Sequence, residues 1–361
     1  MLRLRIPSLF VRFASIAVAF ACFVPALAPS SAAAFSKAIW GEATYNGGDQ
    51  FPMYKELGVS IIELDLDWNQ VAATRPADPT NPKDPAYVWP ASIQQMIAEA
   101  ASYHMRVLLQ LFNAPAWADG GNSGFGWAPL KAASFVNFAT AAGKEYPSVH
   151  LWMIWGEPTK AGNFMPLAAA LPGQPLDRAQ RASDQLYAEM LNGAYGALKR
   201  ISKRNLIIGG CTFTTGAIDP LQWIQNMRLP DGKPPRMDMY AHNPFSYASP
   251  AFTKLPSEFD DIQFANLPQL AGWVDRYLRK GLPLFLSEWT IPTQEDETFN
   301  FWVDPTVAAQ WVSEALREAR AWHRIYALGW VNVYDNLPLI AGGLLTENGT
   351  PKPDFYAFAD G

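Results

Sequence analysis

Cysteine is nearly absent: 361 residues contain two, Cys22 and Cys211. No disulfide framework can therefore organise the chain, and its fold must rest on a core. Basic charge is not in excess, since 28 Lys and Arg face 33 Asp and Glu for a net charge of −5. That balance speaks against a protein that tracks nucleic-acid phosphates, and there is no basic patch. The four histidines (104, 150, 242 and 323) show no metal-ligand spacing. His104 and His150 fall at expected strand starts and read as structural, whereas His242 falls at a strand's C-terminal end. Gly209-Gly210 and Gly342-Gly343 lack the context of a phosphate loop and read as turns. A serine nucleophile elbow and a dinucleotide fingerprint are both missing. Neither a metal nor a cofactor is expected.

A long membrane-spanning run is missing too. The longest apolar stretch, 13–27, follows Arg3, Arg5 and Arg12 and carries Pro25 near its end. At about fifteen residues it is short for a span. With Ser31-Ala32-Ala33-Ala34 behind it, it reads as a secretory signal over 1–34, cut near Ala34 or alternatively near Ala28. An uncleaved anchor or a lipid-modified Cys22 are the other readings. Signal cleavage would remove Cys22, leave Cys211 alone, and deliver a secreted protein, extracellular or periplasmic, without stable membrane association. Nothing in the sequence fixes an oligomeric state.

What the chain does have is apolar bulk, 49% of residues, and 14 Trp, 13 Tyr and 21 Phe. From residue 37 onward short apolar runs alternate with helical stretches, which predicts a parallel α/β fold. Strands are expected at 37–41, 59–64, 106–111, a run ending at Glu157, 206–210, 237–242, 283–287 and 326–331. Helices are expected to follow each, with Asp49, Asp177, Asp219 and Asp304 as caps. Two long loops, 73–90 and 112–129, interrupt the pattern. Eight strand–helix units without a linker make one (β/α)8 barrel over 35–361.

Two of these strands end alike. His150-Leu151-Trp152-Met153-Ile154-Trp155-Gly156-Glu157-Pro158 is an apolar run that stops at a carboxylate, and Pro283-Leu284-Phe285-Leu286-Ser287-Glu288-Trp289 repeats the design. In such a barrel the C-terminal strand ends converge on one face. Strands four and seven lie across its mouth, so Glu157 and Glu288 can face each other over a ligand. Paired carboxylates beside aromatic surface suit cleavage of a glycosidic bond. Acid/base work by Glu157 would need an apolar setting, which Trp152, Trp155 and Pro158 could supply. Glu288 would have to stay ionised to act as nucleophile. Ordinary mouth carboxylates paired with Arg or Lys are the plainer alternative. Glu63, Asp65 and Asp67 form a further acidic cluster, which a two-residue alternation is expected to divide between the interior and solvent. Trp40, Trp68, Trp117, Trp155, Trp289 and Trp330 each fall at or just after a strand end. They can stack on a sugar or pack in the core, with Trp330 the first choice for stacking.

These residues resemble a known group. Trp155-Gly156-Glu157-Pro158 is similar to the Trp-Asn-Glu-Pro element of clan-A retaining glycoside hydrolases, in the style of families 5 and 39, and Leu286-Ser287-Glu288-Trp289 resembles their nucleophile strand. Lys55-Glu56-Leu57-Gly58-Val59 leading to Asp65 and Trp68, Pro115-Ala116-Trp117, Ala241-His242-Asn243-Pro244, and Gly343-Leu344-Leu345 through Pro353 fall in the same order. The resemblance implies a cofactor-independent retaining β-glycosidase acting on a poly- or oligosaccharide. Glu157 would be its acid/base and Glu288 its nucleophile, with Trp40, Trp68, Trp117, His242, Trp289 and Trp330 binding the substrate. The departures imply something else. Gly156 stands where the clan has an Asn that bonds the sugar 2-hydroxyl. Glu63 stands where relatives often carry an Arg. Pro244-Phe245 occupies the place of a sixth-strand Tyr, with Tyr240 and Tyr247 nearby. A catalytically weak or inactive carbohydrate-binding barrel is the alternative these departures leave open.

Overall fold

The computed structural model describes residues 35–361 apart from 123, 255 and 258–260. The secretory-signal reading of 1–34 lies outside the described residues. Eight strands, β1 (Ser36–Trp40), β2 (Val59–Asp67), β3 (Arg106–Phe112), β4 (Leu151–Ile154), β5 (Leu206–Phe213), β6 (Met239–Asn243), β7 (Leu284–Trp289) and β8 (Ile325–Trp330), close into a parallel barrel in sequence order. One main helix follows each strand: α1 (Phe51–Glu56), α2 (Ala91–Ser102), α3 (Ala132–Glu145), α4 (Arg178–Ile201), α5 (Pro220–Asn226), α6 (Leu267–Tyr277), α7 (Pro305–Ala321) and α8 (Pro353–Asp360). The expected single (β/α)8 barrel is therefore what forms.

Local chemistry sets the helix starts. Asp177 and Asp219 each close a capping box, with Gln180 and Gln222 respectively, and Asp304 accepts from the Thr306 amide. Asp49 is not the cap of α1, as the sequence suggested. Gln50 holds that position, and Asp49 accepts from the Phe51 amide from just outside.

Strand alternation splits the core into two layers. Ala38, Ile61, Leu108, Met153, Ala241 and Phe285 fill the barrel, while their neighbours, such as Ile39, Ile62, Leu109 and Trp152, pack against the helices. β3 and β6 end one residue later than expected, and three strands run two or three residues further at the mouth. β2 reaches Asp67 because its ladder continues through Asp65↔Gln110 and Asp67↔Phe112, so the acidic residues that looked like a strand stop belong to the strand. β5 and β7 extend likewise to Phe213 and Trp289.

Lys37 stitches the start of β1 to other elements. Its Nζ donates to Leu57 O at 3.0 Å, Phe358 O at 2.5 Å and Ala359 O at 3.0 Å, and burial pushes its pKa down to about 8.

Candidate active site

β4 stops at Ile154, and the next residues turn the chain out of the barrel wall. Trp155 and Glu157 take φ of +66° and +42°, a region that side-chain-bearing residues seldom occupy. The surroundings hold this turn in place. Tyr187 on α4 donates to Ile154 O at 2.8 Å, Trp155 Nε1 donates to Asn163 O at 2.5 Å, and Thr159 Oγ1 accepts from the Phe213 amide at 3.2 Å. Glu157 is consequently buried.

Glu288 reaches the site by a different device. Between β7 and β8, Leu286 pairs with Leu328 and Trp289 with Trp330, so β7 carries one extra residue in that interval. Leu286 and Trp289 both pack in the outer layer. The bulge gives Ser287 and Glu288 the space between them, a common way to re-aim side chains near a site.

Asn243 joins the two glutamates. On β6, Met239 and Ala241 fill the barrel, so Asn243 shares their face. Its Nδ2 donates to Glu157 Oε1 at 2.9 Å, and its Oδ1 accepts from the Glu288 amide at 3.1 Å. Lys160 Nζ lies 3.1 Å from the other Glu157 oxygen, Oε2, and 4.8 Å from the centroid of the Phe213 ring. Burial first, and then the charges of Glu157 and Asp65, push the Glu288 carboxyl well above the usual carboxylate range, with Lys160 acting in the opposite sense. The setting expected for the acid/base is thus found around the other glutamate. Trp152, which was to wall Glu157, points to the helix layer instead.

Residues 63, 65 and 67 are two apart and start from one face of β2, yet they divide in exposure as expected: Glu63 is buried, Asp65 reaches solvent at the mouth, and Asp67 is half-buried, capping the turn Trp68–Val71 and accepting from Asn113 Nδ2. Glu63 is buried, accepts from Ser287 Oγ at 2.6 Å through Oε2, and has its carboxyl raised by burial. A Cβ on Gly329 would come within 2.4 Å of its Oε1. Asp65 meets water at the barrel mouth while protein encloses its other sides. That desolvation raises its pKa to about 6 against the Gln110 Nε2 bond at 2.7 Å. Gly156 packs against the same Gln110, whose Nε2 and Oε1 lie 2.8 and 2.9 Å from where a Cβ would sit. The Gln110 carboxamide therefore occupies the space into which any side chain at 156 would start.

The predicted aromatic set separates. Trp40 lines a cavity of about 690 Å³ that has Glu63 and Asp65 on its wall and neither Glu157 nor Glu288 among its lining residues. Trp68, Trp289 and Trp330 are fully buried. Trp68 stacks on Phe138, Trp289 packs edge-on to Trp330, and Trp330 also meets Phe358 and donates to Gly342 O. None of these three offers an open face to a sugar in this arrangement, because strand parity turns Trp330 outward, the extra residue in β7 does the same for Trp289, and Trp68 packs on Phe135 and Phe138 of α3. Trp117 is half-buried, edge-on to Trp68, and its Nε1 donates to Ala72 O. His242 is buried with both ring nitrogens engaged, by Thr212 Oγ1 and Ile262 O, each at 2.8 Å. Its pKa falls to about 4 through burial. It fixes the end of β6, and its neighbour Asn243 enters the site.

Tyr240 is buried against Thr212 and Tyr247 is exposed, so neither fills the place of the sixth-strand tyrosine. Asn243, Gln110, Lys160 and Ser287 went unmarked in the sequence. Asn243 could have been found from the parity of Ala241. No group of three or more His, Cys, Asp or Glu suited to a metal ion occurs among the described residues, and none of their helices is long and apolar enough to cross a membrane.

The architecture is thus a parallel barrel with two glutamates delivered to its mouth from β4 and β7. Solved structures similar to this chain in fold include glycoside hydrolases. One is a family 39 enzyme from the gut symbiont Bacteroides cellulosilyticus WH2, with a TM-score of 0.63, 18% identity, and coverage of 91% of this chain and 63% of that one. A monomeric β-xylosidase from Caulobacter crescentus CB15 gives a TM-score of 0.60 and 16% identity over 90% of this chain and 67% of that one. A glucosidase from Croceicoccus marinus gives 0.61 and 15% over 90% and 64%. This chain thus spans about two thirds of their length, and at such identities the likeness establishes the fold. No protein-family model matches the chain, and no curated protein matches it.

Proposed function

We propose that the protein is a secreted retaining β-glycosidase that hydrolyses O-glycosidic bonds of a poly- or oligosaccharide, with Glu288 as nucleophile and Glu157 as acid/base. The observation that carries this reading is the Asn243 bridge, which ties one glutamate from β4 to another from β7 at the mouth of the barrel. Glu288 attacks the anomeric carbon as Glu157 protonates the departing oxygen. Water, deprotonated by Glu157, then releases the sugar. In the free protein burial and the charge of Glu157 favour the protonated form of Glu288. A sugar entering between them brings its leaving oxygen to Glu157. The positive charge that develops at the anomeric carbon favours ionised Glu288, and the half-exposed Lys160 ammonium can swing away from Glu157.

A carbohydrate-binding barrel with little or no turnover is the second reading. The Lys160–Glu157 ion pair favours it, since a carboxylate with both oxygens engaged has no proton to give. A 2-deoxy-2-fluoro aryl glycoside separates the two readings. The proposal expects a covalent adduct on the Glu288 peptide by mass spectrometry. Saturable binding of oligosaccharides without any adduct or turnover would establish the binding barrel. Export belongs to the same proposal, and the exported protein should begin near Phe35.

A further inference from the structure

A row of aromatic rings leads away from Glu157 along the mouth. Lys160 Nζ, 3.1 Å from Glu157 Oε2, lies 4.8 Å from the ring centroid of Phe213, the last residue of β5. From Phe213 the centroids follow one another at 5.6 Å to Phe245, 5.4 Å to Phe299, 5.7 Å to Phe301 and 6.3 Å to Tyr247. Three strand ends supply these rings. Phe213 closes β5, Phe245 and Tyr247 follow β6, and Phe299 and Phe301 lie between β7 and α7. All of them therefore belong to the face that carries the glutamates. The loops are pinned in place. Thr214 Oγ1 lies 2.9 Å from Asn243 O and 3.1 Å from Phe245 O. Asp296 Oδ1 accepts from the Phe299 amide at 2.7 Å, and its Oδ2 accepts from the Ala341 amide at 2.8 Å. A cluster that served only to join loops would bury its rings. Here Phe245 alone is buried, Phe213, Phe299 and Phe301 keep part of their surface in solvent, and Tyr247 is 57% exposed.

We propose that this row holds the leaving-group side of a neutral glycan chain, so that bonds are cut with several sugars beyond them. The inference deepens the glycosidase reading and rests on it for turnover, though not for binding. Its direction follows from the role of Glu157. An acid/base protonates the departing oxygen, so the surface just past it meets the leaving group. Sugar rings present apolar C–H faces, which settle on aromatic side chains as water is released. Four partly open rings on the loops of three strands reach further than a single aryl group and suit a chain. None of them bears a charge, so the row does not call for an anionic glycan. Because the loops are already pinned, little ordering is left for binding to impose.

The test uses β-1,4-linked xylo-, cello- and manno-oligosaccharides of two to six sugars, labelled at the reducing end, beside an aryl glycoside of each sugar. Mass spectrometry gives the bond that is cut, and kcat/KM is followed against length. In a series that is hydrolysed, kcat/KM is expected to rise about tenfold as the leaving group grows from one sugar to three. Tyr247→Ala and Phe301→Ala should remove most of that rise, whereas Phe301→Tyr, which keeps a ring, should preserve it. Tyr247 is exposed, so the folding of its variant is not at issue. Rates that ignore the length of the leaving group, a rise that both alanine variants keep, or hydrolysis of aryl glycosides alone would overturn this inference and leave the glycosidase reading standing. If nothing is hydrolysed, affinity electrophoresis in gels of xylan, β-glucan and galactomannan decides. Retardation that both alanine variants weaken upholds the row while the glycosidase reading fails. Retardation that they leave unchanged, or none, overturns both.

Discussion

Lys160 Nζ stands 3.1 Å from Glu157 Oε2, three residues along the same turn, while Asn243 holds the opposite oxygen at 2.9 Å. The charge of the ammonium lowers the pKa of Glu288. Lys160→Met should therefore move the kcat/KM–pH profile to higher pH, by about one unit, with the alkaline limb rising most. An unmoved profile would show that Lys160 has no part in the proton balance.

The two glutamates should fail differently. Glu288→Ala removes the nucleophile and should abolish turnover for every substrate. Glu157→Ala should spare formation of the intermediate from an activated aryl glycoside and nearly stop cleavage of a natural sugar leaving group. Azide should give a β-glycosyl azide with Glu157→Ala and the α product with Glu288→Ala. Near wild-type activity of both variants on a natural glycan would sink the assignment.

Asn243 ties the Glu157 carboxylate to the Glu288 backbone amide through one side chain. Asn243→Ala should lower kcat by about 100-fold with little change in KM, since small misplacements of reacting groups carry costs of that size. Asn243→Asp loses the donor to Glu157 and adds a third charge, so it should be the worse of the two. Equal kinetics for wild type and Asn243→Ala would show the bridge to be incidental.

Gly156→Asn would place the resembled family's residue in this barrel. Its Cβ would press on the Gln110 carboxamide, so the single variant should lose about 1–3 kcal/mol of stability in urea unfolding. Adding Gln110→Ala opens the space, and the double variant should recover most of that loss. Additive losses in the cycle would contradict the contact.

Stability should fall as pH rises from about 4 to 7. Asp65 and Asp354 have folded pKa values raised by burial to about 6 and about 7, so the native state holds more protons than the unfolded chain across that window. Their contribution is fully present below the unfolded pKa and is lost as pH passes the folded one. Thermal unfolding of Asp354→Asn against wild type should show a flatter decline above pH 5. Parallel curves would mean that Asp354 does not titrate there.

Much of this was legible in the chain. The alternation of apolar runs and helices gave the barrel its eight units, and runs that end in Glu157 and Glu288 pointed to the mouth. The aromatic readings went astray because a strand end was read without its parity. Leu328 faces the helices and so does Trp330 two residues on, whereas Trp289, three residues after Leu286, joins that face only through the extra residue in β7. The same rule puts 63, 65 and 67 on one face of β2, where height along the strand separates the buried Glu63 from the exposed Asp65. Other features had no local signature. The extra residue in β7 shows only in its register with β8. Gln110 matters through its contact with Gly156, 46 positions away, and the helical turn that brings Lys160 back to Glu157 begins with a φ of +42° that no propensity would favour.

The stitch made by Lys37 has a kinetic side. Its acceptor Phe358 O lies 321 positions downstream, so the ammonium cannot be satisfied until the last helix has emerged. Chains with such long-range contacts close slowly, because loop entropy must be met before the contact rewards it. A partly made copy would carry a lysine without its Phe358 and Ala359 acceptors, next to the apolar strand β1. Trimming the final eight residues should thus yield a barrel that stays open at the β1 seam and is taken by proteases, whereas the whole chain resists them.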